Sequence, residues 1–264
     1  MGTIIIETKQ IPALHRNKKL HIYLPNGYDF KNTSYPVLYM HDGHNLFDIE
    51  TSAFNASWNV HYALDEIEKQ TALNMIVVGI DSPSDQRFDE YSPWINNNMK
   101  EYISYLKAPS YGGEGEIYLQ WIVSELKPWI DANFRTIVNK TFMAGSSMGG
   151  LISIYAGCRF PNVFLAVGAF SPAIWFAETE FLNYVKNNGS SIKSVYLDVG
   201  TNETSDPACD SFPKIYLLGA RKLYEILLNN KIEHLIYFED EGGTHSEKAW
   251  EQRFPRFARW LLQL

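Results

Sequence analysis

The segment Gly145-Ser146-Ser147-Met148-Gly149-Gly150 follows a strand-like run, Lys140 to Ala144, and leads into a helix-like run, Leu151 to Gly157. Glycines at 145 and 149 framing Ser147 make the Gly-x-Ser-x-Gly pattern of a sharp strand-to-helix turn. The chemistry explains the spelling. A serine hydroxyl is a weak nucleophile until a base removes its proton. On such a turn Oγ is lifted clear of the sheet, and the following helix aims free N–H groups and the positive end of its dipole at an oxyanion forming beside it. Strand and helix approach so closely that only a very small residue fits two places to either side. Ser146 has Ala144 and Met148 at those places, so the frame selects Ser147.

A serine nucleophile of this kind works with a histidine base and an acid that orients it. In the chain order that goes with the elbow, the acid follows the serine and the histidine comes last. Only His234 and His245 lie beyond Ser147. His234 opens a strand-like run. His245 sits in the glycine-rich Glu241-Gly242-Gly243-Thr244-His245-Ser246, between the last strand-like run and the terminal helix, where the base belongs. The acid is expected just past Val195-Tyr196-Leu197-Asp198-Val199. Asp198 lies within that strand, so Glu203, three residues after Gly200, is preferred, with Asp206 the next candidate.

Two N–H donors are needed for the oxyanion. One is the N–H of Met148. The other should come from the loop after an early strand, Met40 to Asp48, where Gly43 permits a tight approach and the N–H of His44 is the candidate. The same loop offers His41, Asp42, His44 and Asp48 as metal ligands. A metallohydrolase usually needs further ligands downstream, and the sequence has no second cluster, so neither metal nor cofactor is expected.

These residues must be held by a larger framework. Strand-like runs at Leu20–Leu24, Pro36–Met40, Asn74–Ile80, Thr141–Ala144, Leu165–Phe170, Ser194–Val199 and His234–Glu239 are interleaved with helical spacing at Trp58–Lys69, Ile117–Phe134, Leu151–Cys158, Phe212–Leu228 and Ser246–Leu262. This β-α-β order predicts an α/β fold with a mostly parallel twisted sheet and helices on both faces. The two strand-like runs in Thr3–Leu24, with no helix between them, predict an antiparallel edge. The whole chain, 1–264, is expected to be one domain. Two long irregular stretches, near 81–115 and 201–211, both follow predicted strands and so belong at the carboxyl edge of the sheet, where open α/β sheets bind ligands.

Bulk properties narrow the partners. The 264 residues are 45% hydrophobic and 14% aromatic, enough for one large core, and the net charge is −7. No basic stripe is present, which excludes nucleic acid, and no run is long enough for a membrane span. The first residues do not read as an export signal, and Cys158 and Cys209 form no CxxC and no zinc spacing and read as free thiols in a reducing compartment. A cytoplasmic protein with a small-molecule partner is expected.

Several segments together resemble the putative-esterase family of α/β-hydrolases, which includes esterase-D-like, feruloyl and enterochelin esterases. They are His41-Asp42-Gly43-His44-Asn45-Leu46-Phe47, Arg87 to Trp94, Glu125 to Asp131, Ala144 to Gly150, Phe170-Ser171-Pro172-Ala173-Ile174-Trp175, and Gly243-Thr244-His245-Ser246-Glu247 with Trp250. The resemblance covers most of the chain and implies the α/β-hydrolase fold, with Ser147 as nucleophile, His245 as base and the residue after Asp42-Gly43 as an oxyanion donor. Two positions depart from the family pattern: His44 stands where glutamine is frequent, and Glu203 where many relatives carry aspartate. The implied activity is a serine carboxylesterase for small or medium acyl esters, working through an acyl-enzyme. Siderophore-ester, feruloyl-ester or acetyl-carbohydrate hydrolysis are the alternatives, and a non-catalytic hydrolase-fold binding protein is the alternative from a different class. Trp94, Trp175, Tyr111 and Phe176 are expected to line the pocket. Arg87 is expected either to bind a carboxylate or polar substrate group or to pair with Glu90.

Overall fold

The computed structural model describes residues 1–53, 55–83 and 85–264; Ser84, within the long stretch expected over 81–115, and Phe54 lie outside the described residues. The strands are β1 (Thr3–Ile11), β2 (Arg16–Leu24), β3 (Tyr35–His41), β4 (Ile76–Ile80), β5 (Ile95–Asn96), β6 (Tyr111–Gly112), β7 (Thr136–Ser146), β8 (Ala166–Phe170), β9 (Ser194–Asn202) and β10 (His234–Thr244). The α-helices are α1 (Val60–Thr71), α2 (Arg87–Glu90), α3 (Gly115–Trp121), α4 (Lys127–Asn133), α5 (Met148–Arg159), α6 (Glu178–Asn188), α7 (Phe212–Asn229) and α8 (Glu247–Leu261). The result is the predicted α/β architecture, a mostly parallel sheet flanked by helices. Among the described residues no helix is long and apolar enough to cross a membrane.

The chain divides into two compact units, and β7 passes from one into the other. The first comprises Met1–Ser82, Gln120–Met143 and Ser246–Leu264. Its strand order is β1-β2-β4-β3-β7. β1 and β2 pair antiparallel, from Thr3 opposite Leu24 to Ile11 opposite Arg16, as the expected edge. β3 and β4 pair in parallel. Ile76 to Ile80 are all buried, which is why this strand reads as a continuous apolar run. Trp250 and Phe254 of α8 pack on Trp58, with ring centroids 5.6 and 6.3 Å away.

The second unit comprises Pro83–Leu119 and Ala144–His245. Its strand order is β7-β8-β9-β10, with β8–β9 and β9–β10 parallel. The 81–115 stretch is not featureless. It holds α2, the β5–β6 ribbon and a 3-10 turn at Met99–Glu101, and it is tied internally by Gly112 N–H donating to Asp89 Oδ1 at 2.7 Å.

Three elements differ from the sequence expectation. The helix expected over 117–134 is interrupted by a π-helical turn at Ile122–Leu126. Pro128 explains it, since its ring lacks an N–H and would strike the carbonyl four residues back, so the ladder widens ahead of it. α6 was not foreseen because Phe181 and Val185 are its only buried residues, too thin an apolar stripe to stand out. β10 runs on to Thr244 through a register shift between Asp240 and Thr244, so most of the glycine-rich segment before His245 is an irregular strand end rather than a free loop.

Candidate active site

The elbow is built by backbone first. β7 ends at Ser146 and α5 begins at Met148, leaving Ser147 between them at φ 58° and ψ −120°. A non-glycine residue in this region costs on the order of 1–3 kcal/mol, and neighbouring structure has to hold it there. It does so at both ends of the residue. Ser147 N–H donates to the Phe170 carbonyl at 2.9 Å, and the Ser147 carbonyl accepts from Ala173 N at 3.0 Å. Met148 is the first residue of α5, where N–H groups have no partner within the helix.

Glu203 lies one residue beyond the end of β9 and is fully buried. Its two oxygens are used separately. Oε1 accepts from Gly200 N–H at 2.6 Å and from Ser171 Oγ at 2.5 Å. Oε2 faces His245 Nδ1 at 2.7 Å. Ser171 follows β8 in a left-handed conformation, φ 46°, with its N–H on the Asp198 carbonyl. Gly200 is required on steric grounds, because a Cβ there would lie 2.2 Å from the Gly243 carbonyl oxygen. That close approach lets the end of β10 bring His245 to Glu203. Asp206 does something different: Oδ2 accepts from Ser104 N–H and Oγ at 2.9 and 2.8 Å, and Oδ1 from Ala208 N–H at 2.9 Å. Those bonds, the Ser104 N–H first, hold its carboxyl below the ordinary range.

On the other side of the imidazole stands Tyr216 of α7, whose hydroxyl is 3.5 Å from His245 Nε2. The rings are 4.7 Å apart at 43°. The phenol is pushed up to about 12 by burial, partly offset by Ser205, whose Oγ is 2.5 Å away, and by the Trp175 and Ser147 side chains. The Trp175 indole Nε1 is buried and faces this hydroxyl without completing a hydrogen bond. The Tyr216 side chain thus stands beside both His245 and Ser147. Neither Tyr216 nor Ser171 was singled out for a role from the sequence. Tyr216 sits in an amphipathic helix pattern where an aromatic reads as core, and Ser171 carries no glycine frame.

The other expected residues are placed as follows. Arg87 donates from Nη2 to the Ser146 carbonyl at 3.3 Å. Trp175 packs against Tyr102 and Phe212 at 5.0 and 5.4 Å. Trp94 packs into a separate aromatic group with Tyr155, Phe181 and Tyr184. Phe176 and Tyr111 both pack on Phe88. In the first unit, His44 lies in the 3-10 turn Gly43–Asn45, with its Nδ1 3.7 Å from Asp81 Oδ1 and its carbonyl accepting from Thr51 Oγ1. The tight approach expected of Gly43 is made against β4, where a Cβ would lie 2.5 Å from the Gly79 carbonyl carbon. Among the described residues, no group of three or more His, Cys, Asp or Glu is arranged to hold a metal ion.

The mostly parallel sheet flanked by helices is the fold of α/β-hydrolase-type esterases. The chain belongs to the putative esterase family, whose model matches residues 11–261. It is similar to the uncharacterized protein YbbA of Bacillus subtilis, 22% identical over 93% of this chain and 92% of that one. It is also similar to the ferri-bacillibactin esterase BesA of Bacillus subtilis, 23% identical over 64% of this chain and 58% of that protein. The crystal structure of the BES protein from Bacillus cereus shares the fold, with a TM-score of 0.79 and 21% identity across 100% of this chain and 97% of that one.

Proposed function

We propose that this esterase is a serine carboxylesterase acting on small-molecule esters by two-step acyl transfer. The observation that carries the reading is the 2.7 Å contact of His245 Nδ1 with buried Glu203, in the same unit as the strained Ser147 turn. With Nδ1–H donated to the carboxylate, Nε2 holds the lone pair that takes the Ser147 proton. Ser147 Oγ attacks the ester carbonyl. The Met148 N–H stabilises the oxyanion, and the sequence assigns the second donor to the His44 N–H. His245 then protonates the departing alcohol, and in the second step activates water to release the acid. Arg87 and Trp175 are assigned to substrate binding. Trp94, committed to its own aromatic group, is the weaker candidate for that role. The two free cysteines, one buried and one half-buried, support a cytoplasmic setting. A siderophore ester is the second reading of the substrate, favoured by the similarity to BesA.

The test is Ser147→Ala assayed with p-nitrophenyl acetate, alongside Ser146→Ala. Loss of a triad nucleophile costs on the order of 10⁶ in kcat. Ser147→Ala should be inactive and Ser146→Ala should retain most activity, with a serine-directed phosphonate labelling Ser147. Labelling of Ser146, or an active Ser147→Ala, would overturn the assignment. A wild-type protein that turns over no ester would mark a binding protein instead.

A further inference from the structure

We propose that the Tyr216 hydroxyl is a catalytic hydrogen-bond donor to the departing alcohol oxygen, suiting this enzyme to esters of aliphatic alcohols rather than of activated phenols. The inference rests on the serine-esterase reading above.

Because Nδ1 of His245 is committed to Glu203, Nε2 is the atom that receives and returns the proton. The departing oxygen has to come within hydrogen-bond reach of Nε2, about 3 Å, to be protonated. It is also bonded to the acyl carbon held by Ser147. An oxygen satisfying both conditions sits beside the Tyr216 hydroxyl, 3.5 Å from Nε2 and close enough to Ser147 for that side chain to ease the phenol's ionisation. The phenol's own proton is available there. The Ser205 hydroxyl lies 2.5 Å away; with Ser205 donating, the Tyr216 O–H points towards the imidazole and the substrate. Burial raises the phenol's pKa and so favours its neutral, proton-bearing form. The buried Trp175 N–H faces the same hydroxyl.

The step balances without any further reactant. As the tetrahedral adduct collapses, the bond between acyl carbon and alcohol oxygen breaks, and its electron pair leaves with the oxygen. The proton taken from Ser147 passes from His245 Nε2 to that oxygen. Tyr216 keeps its own proton and only donates a hydrogen bond, and the acyl group stays on Ser147 Oγ. A p-nitrophenolate is a stable anion and departs with little help. An ethoxide must be neutralised as it forms, so an added donor matters most for alkyl esters.

The experiment compares kcat/KM, which reports acylation, for the ethyl and p-nitrophenyl esters of the same acid. Tyr216→Phe keeps the ring against His245 and removes only the hydroxyl. Removing a single donor from a full oxyanion costs on the order of 10² or more, and the leaving oxygen carries less charge. The ratio of the two kcat/KM values should therefore shift about tenfold towards the p-nitrophenyl ester. Ser205→Ala, which keeps the phenol, should shift it in the same direction by a smaller factor. Proportional losses on both esters would mean a merely structural role and overturn the proposal. Should Tyr216→Phe fail to fold by circular dichroism, the Ser205→Ala ratio decides, and no shift there counts against it. An inactive Ser147→Ala with an unshifted ratio overturns this inference alone. An active Ser147→Ala overturns the underlying reading as well.

Discussion

Glu203→Gln gives the sharpest test of the acid, because the two oxygens of Glu203 face different demands. Gln has the same shape but only one acceptor oxygen. If that oxygen stays with Gly200 N–H and Ser171 Oγ, the amide NH2 faces His245 Nδ1. Nδ1 must then accept, its proton moves to Nε2, and the base has no lone pair for Ser147. That wrong tautomer costs on the order of 10⁴ in kcat. If the amide flips, the tautomer is restored but the NH2 meets the Gly200 N–H at a site where the acceptor was 2.6 Å away. The Ser171 hydroxyl can rotate to accept, but a peptide N–H cannot. Leaving such a buried donor unpaired costs about 1–3 kcal/mol before any repulsion, so the flipped form is a minor population. The expected fall in kcat lies between about 10²- and 10⁴-fold, with KM little changed, since the acid acts on the imidazolium of the transition state. Steady-state kinetics on p-nitrophenyl acetate would measure it, with Asp206→Asn as the comparison. Asp206 holds Ser104 and Ala208 rather than the imidazole, so its variant should lose far less. A loss below tenfold in Glu203→Gln, or a larger loss in Asp206→Asn, would refute the reasoning.

Three further perturbations probe the scaffold. Gly200→Ala puts a methyl 2.2 Å from the Gly243 carbonyl oxygen and 2.7 Å from Glu203 Oε1. Relieving that overlap should cost about 1–3 kcal/mol in urea denaturation and displace His245, lowering kcat/KM by about 10²-fold or more. Gly242→Ala has open space around it and only a φ of +74° to strain it, so it should destabilise mildly and remain active. Glu239 is held at about 2, against an ordinary 4.5, by its hydrogen bonds from Arg221, with burial opposing and Tyr237 adding another. A depressed carboxyl contributes stability above its unfolded value and loses it as pH falls from about 4.5 towards 2. Glu239→Gln should therefore lower the urea midpoint at pH 6 and converge with wild type near pH 2. Arg221 is half-exposed, so the effect should be small, and a difference that grows on acidification would contradict it.

Ser147 and His245 were both legible from the chain. The glycine frame around Ser147 is a local steric requirement, and a local requirement leaves its mark in adjacent residues. His245 followed from chain order, because only one histidine after the serine lies between the last strand and the terminal helix. The alternation of strands and helices was readable for the same reason, since burial on a strand or a helix face repeats at short spacing. The choice between Glu203 and Asp206 was not decided this way. Both are carboxylates in one short loop at one sheet edge, and nothing in their spacing says which meets the imidazole. The fold separates them through partners remote in sequence: Ser171, in left-handed backbone after β8, grips Glu203, while Ser104 claims Asp206. Tyr216 likewise came to His245 only because α7 packs its aromatic face beside the end of β10, joining residues 29 positions apart. The sequence by itself determined the α/β frame and singled out Ser147 and His245 as the candidate nucleophile and base, because those depend on neighbours along the chain. Tertiary structure alone decided which carboxylate contacts the His245 imidazole and which phenol faces it, because hydrogen-bond partners across strands have no period that a sequence can display.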